Sequence, residues 1–253
     1  MIYFKSQRLD NPLYNSSKSL TELANSLETD KGTADASTLS WGINFPTHYS
    51  WGYTTIYETY MSPLRETETP VEFLEVGIYD YRFPYASPKL WKSYFRNINL
   101  NSVDNFWGRI PNNDDITTLN DIGTNFFYAD QGSETDWNEI SNQLERELDF
   151  FVEDGSHLSH HMLYSLWRSI PLMKVGGIYF MEDIQHPTTA GAYGYNNMDV
   201  YETILRFQET NIFSSPSITE QMCRDIQQSY SLEQVYFGGP EHTKTGLAVF
   251  KKL

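Results

Sequence analysis

Short apolar runs alternate with amphipathic helical segments from residue 70 onward, and this alternation leaves few folds open to the chain. Five runs have the length of buried strands: residues 71–77, 100–104, 125–130, 148–154 and 176–183. Strands that alternate with helices form βαβ units around a parallel sheet. Two later runs, 232–237 and 246–251, have no helix between them and predict an antiparallel hairpin. We therefore expect an α/β fold with a seven-stranded, mostly parallel sheet that ends in a C-terminal hairpin.

The residues before this pattern predict a separate arm. Residues 18–27 place three leucines and an alanine at helical spacing, and residues 53–65 predict a second helix that ends near Pro63. The segment between them is rich in Gly, Pro, Trp and Tyr and predicts a loop. We divide the chain into an N-terminal helical arm with a covering loop, residues 1–68, and an α/β domain, residues 69–253.

Charge and cysteine content exclude several kinds of partner and site. The sequence has 33 acidic and 18 basic residues, a formal net charge of −15. Such a surface repels phosphate, so we expect neither nucleic acid nor an anionic membrane as a partner. The single cysteine, Cys223, excludes an internal disulfide and a cysteine zinc cluster. We see no signal peptide and no apolar run long enough to span a bilayer, which predicts a cytoplasmic protein.

Acidic residues end all five predicted parallel strands. They are Glu75, Asp104, Asp130, the pair Glu153-Asp154 and the pair Glu182-Asp183. In open α/β sheets the ligand lies beyond the carboxyl ends of the strands, which makes these side chains candidates for a binding site. Clustered carboxylates repel one another unless a cation or hydrogen-bond donors lie between them.

Two of these acids suit a nucleoside ligand. An acidic residue after the second strand can accept both hydroxyls of a ribose, which fits Asp104. Asp130 follows the third strand and could accept an adenine amino group. Each could instead be a helix cap or a solvated loop residue.

The acids of the fourth and fifth strands suit a metal ion. Asp154, Glu182 and Asp183 lie at neighbouring strand ends, and Mg²⁺ prefers oxygen ligands. His157 follows Asp154 by three residues, and an imidazole there could serve as general base for a hydroxyl whose pKa the ion lowers. The competing interpretation is that Asp154 caps a helix and His157 lies on its surface.

The same residues carry a resemblance to a known family. Residues 153–157 (Glu-Asp-Gly-Ser-His), a following helix, residues 174–179 and Glu182-Asp183 resemble the macrocin and mycinamicin sugar O-methyltransferases. The cephalosporin-hydroxylase-like family is similar to these enzymes. Other stretches agree, namely residues 29–32, His48-Tyr49, Tyr57-Glu58, residues 73–77, residues 91–95 and Asp130-Gln131. The layout of five α/β units and a hairpin also resembles Rossmann-like class I methyltransferases.

The resemblance implies S-adenosylmethionine (SAM) as methyl donor and Mg²⁺ held by Asp154, Glu182 and Asp183. It implies that His157, beside Asp154, takes a proton from a hydroxyl of a sugar or glycosylated metabolite. The residues implied for SAM are Glu75, Gly77 and Ser87 near the methionine part, Asp104 at the ribose, and Asp130 with Gln131 at the adenine. The residues implied to close the pocket are Asp30, Lys31, Gly32, His48 and Tyr49.

Two departures from the family pattern stay open at this point, and the milder is Glu153 in place of a more usual aspartate. Tyr85 stands where family members tend to have glycine, which allows a backbone to approach a ligand closely.

Two alternative functions stay open. A protein of this fold that binds SAM or a nucleotide without catalysis is one alternative. An iron-dependent hydroxylase is the other, although its site needs two histidines and one carboxylate. A homo-oligomer is compatible with the sequence.

Overall fold

A computed structural model describes residues 1–8, 10–32, 52–79, 84–185, 187, 197–238 and 245–253. The strands in this part of the chain are β1 (Ile2–Phe4), β2 (Val71–Val76), β3 (Ile98–Asp104), β4 (Asn125–Tyr128), β5 (Leu148–Glu153), β6 (Met173–Gln185), β7 (Tyr230–Gly238) and β8 (Thr245–Lys252). The α-helices are α1 (Leu20–Ser26), α2 (Tyr53–Met61), α3 (Ala86–Tyr94), α4 (Asn113–Ile122), α5 (Glu134–Gln143), α6 (Ser159–Ser169), α7 (Met198–Thr210) and α8 (Glu220–Ser229).

All eight strands form one sheet in the order β1-β4-β3-β2-β5-β6-β8-β7. Strands β4, β3, β2, β5 and β6 are parallel, whereas β8 is antiparallel to β6 and to β7. The predicted α/β class and the C-terminal hairpin are therefore confirmed. Strand β2 is buried along its whole length, as expected for a central strand covered on both faces.

The predicted number of seven strands was wrong by one. Ile2–Phe4 adds an antiparallel edge strand on β4, where Tyr3 stacks on Phe127 with ring centroids 4.6 Å apart. Three residues are too few to show an alternating pattern, so the sequence alone did not reveal this strand. Helix α4 is a second element absent from the sequence prediction. A reciprocal capping box between Asn112 and Asp115 begins it.

Apolar side chains cover both faces of the sheet. Successive strand residues alternate between the faces, so Phe73 joins one cluster and Leu74 the other. Helices α1, α2 and α3 cover the face to which Phe73 points, and Tyr57 of α2 packs there edge-on against Phe180. The N-terminal arm thus shares a core with the sheet, and the division at residues 68 and 69 stays a prediction. No helix in the described ranges is both long and apolar enough to cross a membrane.

Candidate active site

An irregular stretch of β6 brings two consecutive acids toward the same helix. Successive side chains of a regular strand point to opposite faces, but the β6–β8 pairing shifts register between Met181 and Ile184. Within this stretch Asp183 has a φ of 55°. Glu182 and Asp183 consequently both accept hydrogen bonds from α2.

The donors on α2 are two tyrosines four residues apart, a spacing that places them on one helix face. Tyr53 donates its hydroxyl to Asp183 Oδ1 at 3.1 Å, and Tyr57 donates to Glu182 Oε1. Sequence reasoning assigned neither hydroxyl to the site. Their helical spacing and the family-like Tyr57-Glu58 pair were the available signals. The N-terminal arm is therefore a wall of the site as well as part of the core.

Asp154, His157 and Asp183 converge at the carboxyl edge of β5 and β6. His157 Nε2 lies 3.9 Å from Asp154 Oδ1 and 3.8 Å from Asp183 Oδ2. One ligand atom from each residue falls within 4.8 Å of the other two, close enough to share an ion. The side chains are 17–21% exposed, so a ligand can reach them.

Backbone strain accompanies this convergence. His157, like Asp183, is a non-glycine residue with positive φ, in its case 55°. Such conformations cost about 1–3 kcal/mol each and persist where the surroundings fix them, often at functional sites. Asp154 and Asp183 bring oxygen ligands and His157 brings a nitrogen that can bind a proton, so the group can hold a hard cation beside a base.

Glu182, the third predicted metal ligand, is not part of that group. It is 2% exposed, and its two carboxylate oxygens lie 2.8 and 2.7 Å from Lys31 Nζ. Lys31 Nζ also donates to Asp154 Oδ2 at 2.6 Å, so the ammonium bridges the two acids. Burial opposes the charge of Lys31, but the nearby carboxylates, Asp154 and Glu182 first among them, outweigh it and raise its pKa well above the usual range. Burial and repulsion from Asp154 raise the pKa of Glu182, and the Lys31 ammonium opposes this rise and favours the ionised carboxylate.

The iron-hydroxylase alternative loses support from this geometry. The group that can share an ion contains one histidine, His157, and two carboxylates, considering only the residues that the structure describes. The non-haem iron set requires the reverse ratio. His161, the next histidine along α6 after His160, turns instead to Ser156, whose hydroxyl lies 2.8 Å from its Nδ1.

Glu75 at the end of β2 is a buried carboxylate without a well-formed hydrogen bond. Its side chain is fully buried, and neither oxygen has a partner in the described part of the chain. Burial raises the pKa of Glu75 to about 8, and Lys31, Trp91 and Ser87 oppose this rise only in part. Ser87, in the first turn of α3, lies beside it. A cationic group of a ligand would satisfy this carboxylate.

Gly77 permits a close approach of two loops. Its φ is +84°, and a Cβ on this residue would lie 1.8 Å from the carbonyl oxygen of Asp154. Glycine is therefore required to bring the loop after β2 beside the loop after β5, whether or not a ligand is bound. This packing role adds to the predicted contact with SAM, which stays a prediction.

Asp104 uses its carboxylate on the backbone of two loops. Oδ2 accepts hydrogen bonds from the Ile78 and Tyr79 amides at 2.7 and 2.9 Å, and Oδ1 accepts one from the Phe106 amide at 2.5 Å. Asp104 thus ties the loop after β2 to the loop after β3. A ribose would have to share these oxygens, and the contact of Asp104 with a ribose stays a prediction.

The two residues predicted at the adenine differ in how accessible they are. Gln131 is buried, donates to Glu153 and Ser165, and accepts the Ser156 amide at 2.9 Å. Its amide therefore links β4 to the loop after β5. Asp130 is exposed, and its Oδ1 accepts the Gly132 amide at 2.8 Å. Asp130 is the more accessible of the two for a ligand.

The predicted closing loop is described only in part. Asp30 is exposed, whereas Gly32 is buried and its carbonyl accepts the Gly52 amide at 2.8 Å. A Cβ on Gly32 would lie 2.2 Å from Asn25 Oδ1, so a larger residue in the turn after α1 would displace the Asn25 side chain. His48 and Tyr49 lie outside the described residues.

Tyr85 has the backbone conformation that glycine adopts most easily. It is the N-cap of α3 with a φ of 61°, which explains physically why glycine suits this position. Its buried side chain donates to Asp115 Oδ1 at 2.6 Å, and Asp115 also pairs with Arg109 at 2.6 Å. Burial, together with the Asp115 hydrogen bond, raises the pKa of the Tyr85 hydroxyl. The side chain therefore links α3 to α4.

The sequence is similar to known sugar O-methyltransferases. No family model matches the sequence. The chain is 29% identical over 159 residues to the 8-demethyl-8-alpha-L-rhamnosyl tetracenomycin-C 2'-O-methyltransferase of Streptomyces olivaceus, covering 60% of this chain and 37% of that protein. It is 31% identical over 149 residues to the 8-demethyl-8-(2-methoxy-alpha-L-rhamnosyl)-tetracenomycin-C 3'-O-methyltransferase of the same organism, covering 57% and 33%. The chain thus spans about a third of the length of these relatives.

A solved structure supports the same fold. The MycE methyltransferase of the mycinamycin biosynthetic pathway, in complex with Mg and SAH, matches with a TM-score of 0.60 and 20% identity. The match covers 93% of this chain and 55% of MycE. The Rossmann-like class I methyltransferase fold expected from the sequence is confirmed, as is the resemblance to sugar O-methyltransferases.

Proposed function

We propose that the protein is a metal-dependent SAM O-methyltransferase that acts on a hydroxyl of a sugar or another polyhydroxylated small molecule. The convergence of Asp154, His157 and Asp183 at one strand edge carries this proposal, because it places acidic oxygens and a base together. The tetracenomycin enzymes support a sugar-bearing acceptor and a role in natural-product or glycan biosynthesis. Cytoplasmic location and a homo-oligomer stay predictions.

The buried carboxylate of Glu75 fits the methionine end of SAM. Its oxygens lack hydrogen bonds from the described residues, and SAM carries a cationic amino group. A charge-assisted hydrogen bond to that group would offset the cost of burying Glu75. Bound SAM supplies a methyl group already activated as a sulfonium, so the protein's task is to align donor and acceptor.

The carboxylates of Asp154 and Asp183 fit a divalent cation. Both offer oxygen atoms at the accessible edge of the site, and Mg²⁺ prefers such ligands to imidazole nitrogen. When bound, the ion lowers the pKa of an acceptor hydroxyl. The place of Glu182 among the ligands stays a prediction, since Lys31 and Tyr57 hold its carboxylate.

His157 is suited to accept the proton of the acceptor hydroxyl. Its Nε2 faces Asp154 and Asp183 at 3.9 and 3.8 Å, and these charges stabilise the imidazolium that forms. The oxygen would be left with the electron pair that bonds to the methyl carbon of SAM, while the pair of the broken carbon–sulfur bond would stay on the sulfur of S-adenosylhomocysteine. The proton remains on Nε2 until solvent removes it.

The proposal is tested by measuring S-adenosylhomocysteine release from SAM with sugar-bearing acceptors, including the rhamnosylated tetracenomycins named for the two relatives. We expect turnover that requires Mg²⁺ and falls by about 10²- to 10⁴-fold in His157→Ala. His160→Ala, an exposed neighbour on α6, is the matched control and should retain turnover. SAM binding without turnover, and without a metal effect on binding, would instead favour a catalytically inactive SAM-binding protein.

A further inference from the structure

Lys31 is a buried ammonium group placed between two acids of the site. It comes from the turn after α1, 123 residues before Asp154, and its side chain is only 2% exposed. Its Nζ contacts Asp154 Oδ2 at 2.6 Å and both oxygens of Glu182 at 2.7 and 2.8 Å. These contacts are short enough to be charge-assisted hydrogen bonds.

The backbone of Lys31 is fixed on both sides. Its amide donates to Thr29 Oγ1 at 3.2 Å, and its carbonyl accepts the Thr54 amide of α2 at 3.0 Å. The adjoining Gly32 carbonyl accepts the Gly52 amide. The ammonium is therefore held in place before any ligand arrives, unlike the end of an exposed lysine.

The two carboxylate oxygens of Asp154 have different neighbours. Oδ2 faces Lys31, whereas Oδ1 faces His157 at 3.9 Å, on the side shared with Asp183. Lys31 thus leaves Asp154 one open oxygen toward a cation. Glu182 has both oxygens on Lys31, so it cannot offer a free bidentate carboxylate while the ammonium stays there.

The number of free carboxylate oxygens affects which cation a site prefers. Ca²⁺ takes six to eight oxygens and often binds a carboxylate through both, whereas Mg²⁺ requires a smaller, octahedral set. We propose that Lys31 is a positioning residue that sets the ion preference of the site by limiting Asp154 to one open oxygen. The proposal rests on the divalent ion of the proposed function and adds the residue that selects for a small ion.

The test is calorimetric titration of the full chain with Mg²⁺ and with Ca²⁺, compared as the ratio of the two affinities. In Lys31→Met, Asp154 gains its second oxygen, and we expect the ratio to move toward Ca²⁺ by about tenfold or more. The double variant Lys31→Met/Glu182→Gln removes one positive and one negative charge together. The double variant should fold even if the unpaired acids destabilise the single variant. It should show the same change in the ratio of Mg²⁺ and Ca²⁺ affinities.

Lys92→Met is the matched control. Lys92 is also a buried lysine, 4% exposed, but its Nζ donates to the Gly123 carbonyl at 3.1 Å, a contact outside the group of acids. The ratio of Mg²⁺ and Ca²⁺ affinities of Lys92→Met should equal that of the wild type. An unchanged ratio in both Lys31 variants would overturn the role of Lys31 while leaving the proposed function intact. Absence of any divalent-ion binding by the wild type would overturn both.

Discussion

Replacing Glu75 with glutamine removes a buried carboxyl group that resists ionisation in the folded protein. The carboxyl group has a pKa of about 8 in the folded protein, against an ordinary value of 4.5. Between these pH values the folded protein keeps a proton that the unfolded chain has lost, so the stability of the wild type falls as pH rises. Above pH 8 both states are ionised, and the contribution of Glu75 becomes constant.

The size of the effect follows from the same values. A rise of the pKa from 4.5 to about 8 corresponds to a ceiling of roughly 5 kcal/mol, at about 1.4 kcal/mol for each pKa unit. Water entry on ionisation lowers this amount, and we expect about 2–4 kcal/mol. Glu75→Gln should therefore gain stability over the wild type as pH increases, and the gain should level off above pH 8.

The assay is urea unfolding of the ligand-free protein between about pH 5 and pH 9. Glu139→Gln, a substitution of an exposed glutamate on α5, is the control and should change stability by less than about 0.5 kcal/mol at every pH. A gain for Glu75→Gln that does not depend on pH would refute the assigned pKa. Equal SAM affinity in Glu75→Gln and wild type would refute the placement of the SAM amino group.

Three further substitutions test other parts of the site. Gly77→Ala places a Cβ 1.8 Å from a backbone oxygen and should unfold the protein or displace the loop after β5. The control is Gly176→Ala, which has a similar φ of +83° but no described atom within 4 Å of its Cβ. It should cost only about 1 kcal/mol in thermal unfolding. Tyr57→Phe should lose about 1–3 kcal/mol of unfolding free energy because the buried Glu182 carboxylate loses one of its hydrogen-bond donors, and Tyr60→Phe on the same helix should lose less. Asp183→Asn should weaken Mg²⁺ binding in calorimetry by about tenfold or more, and unaltered binding would exclude it as a ligand.

The sheet and the meeting of the acids could be predicted because they follow from general rules. Apolar runs of strand length predicted the parallel strands. Because parallel strands end at one edge of the sheet, the sequence also predicted that Asp154, His157 and Asp183 lie close together. The predicted neighbour Glu182 also lies at this edge, but behind an ammonium group. Sequence spacing places a strand end but does not state what pairs with it.

The partners of polar groups were the part that could not be predicted. Lys31 reaches an acid 123 residues away, and no local pattern encodes such a contact. Asp104 and Gln131 were predicted as ligand-binding residues, yet their oxygens also accept backbone amides of neighbouring loops. An acceptor at a strand end can serve the fold, the ligand or both, and only the geometry separates these roles.

The most direct measurement is an anomalous difference map from crystals soaked with Mn²⁺, as a stand-in for Mg²⁺, and S-adenosylhomocysteine. The proposed function predicts one metal peak about 2.0–2.2 Å from oxygens of Asp154 and Asp183, with His157 facing the open side of the ion. It also predicts the amino group of the cofactor product at Glu75. A metal peak away from both aspartates, or a cleft that holds neither ion nor nucleoside, would contradict it.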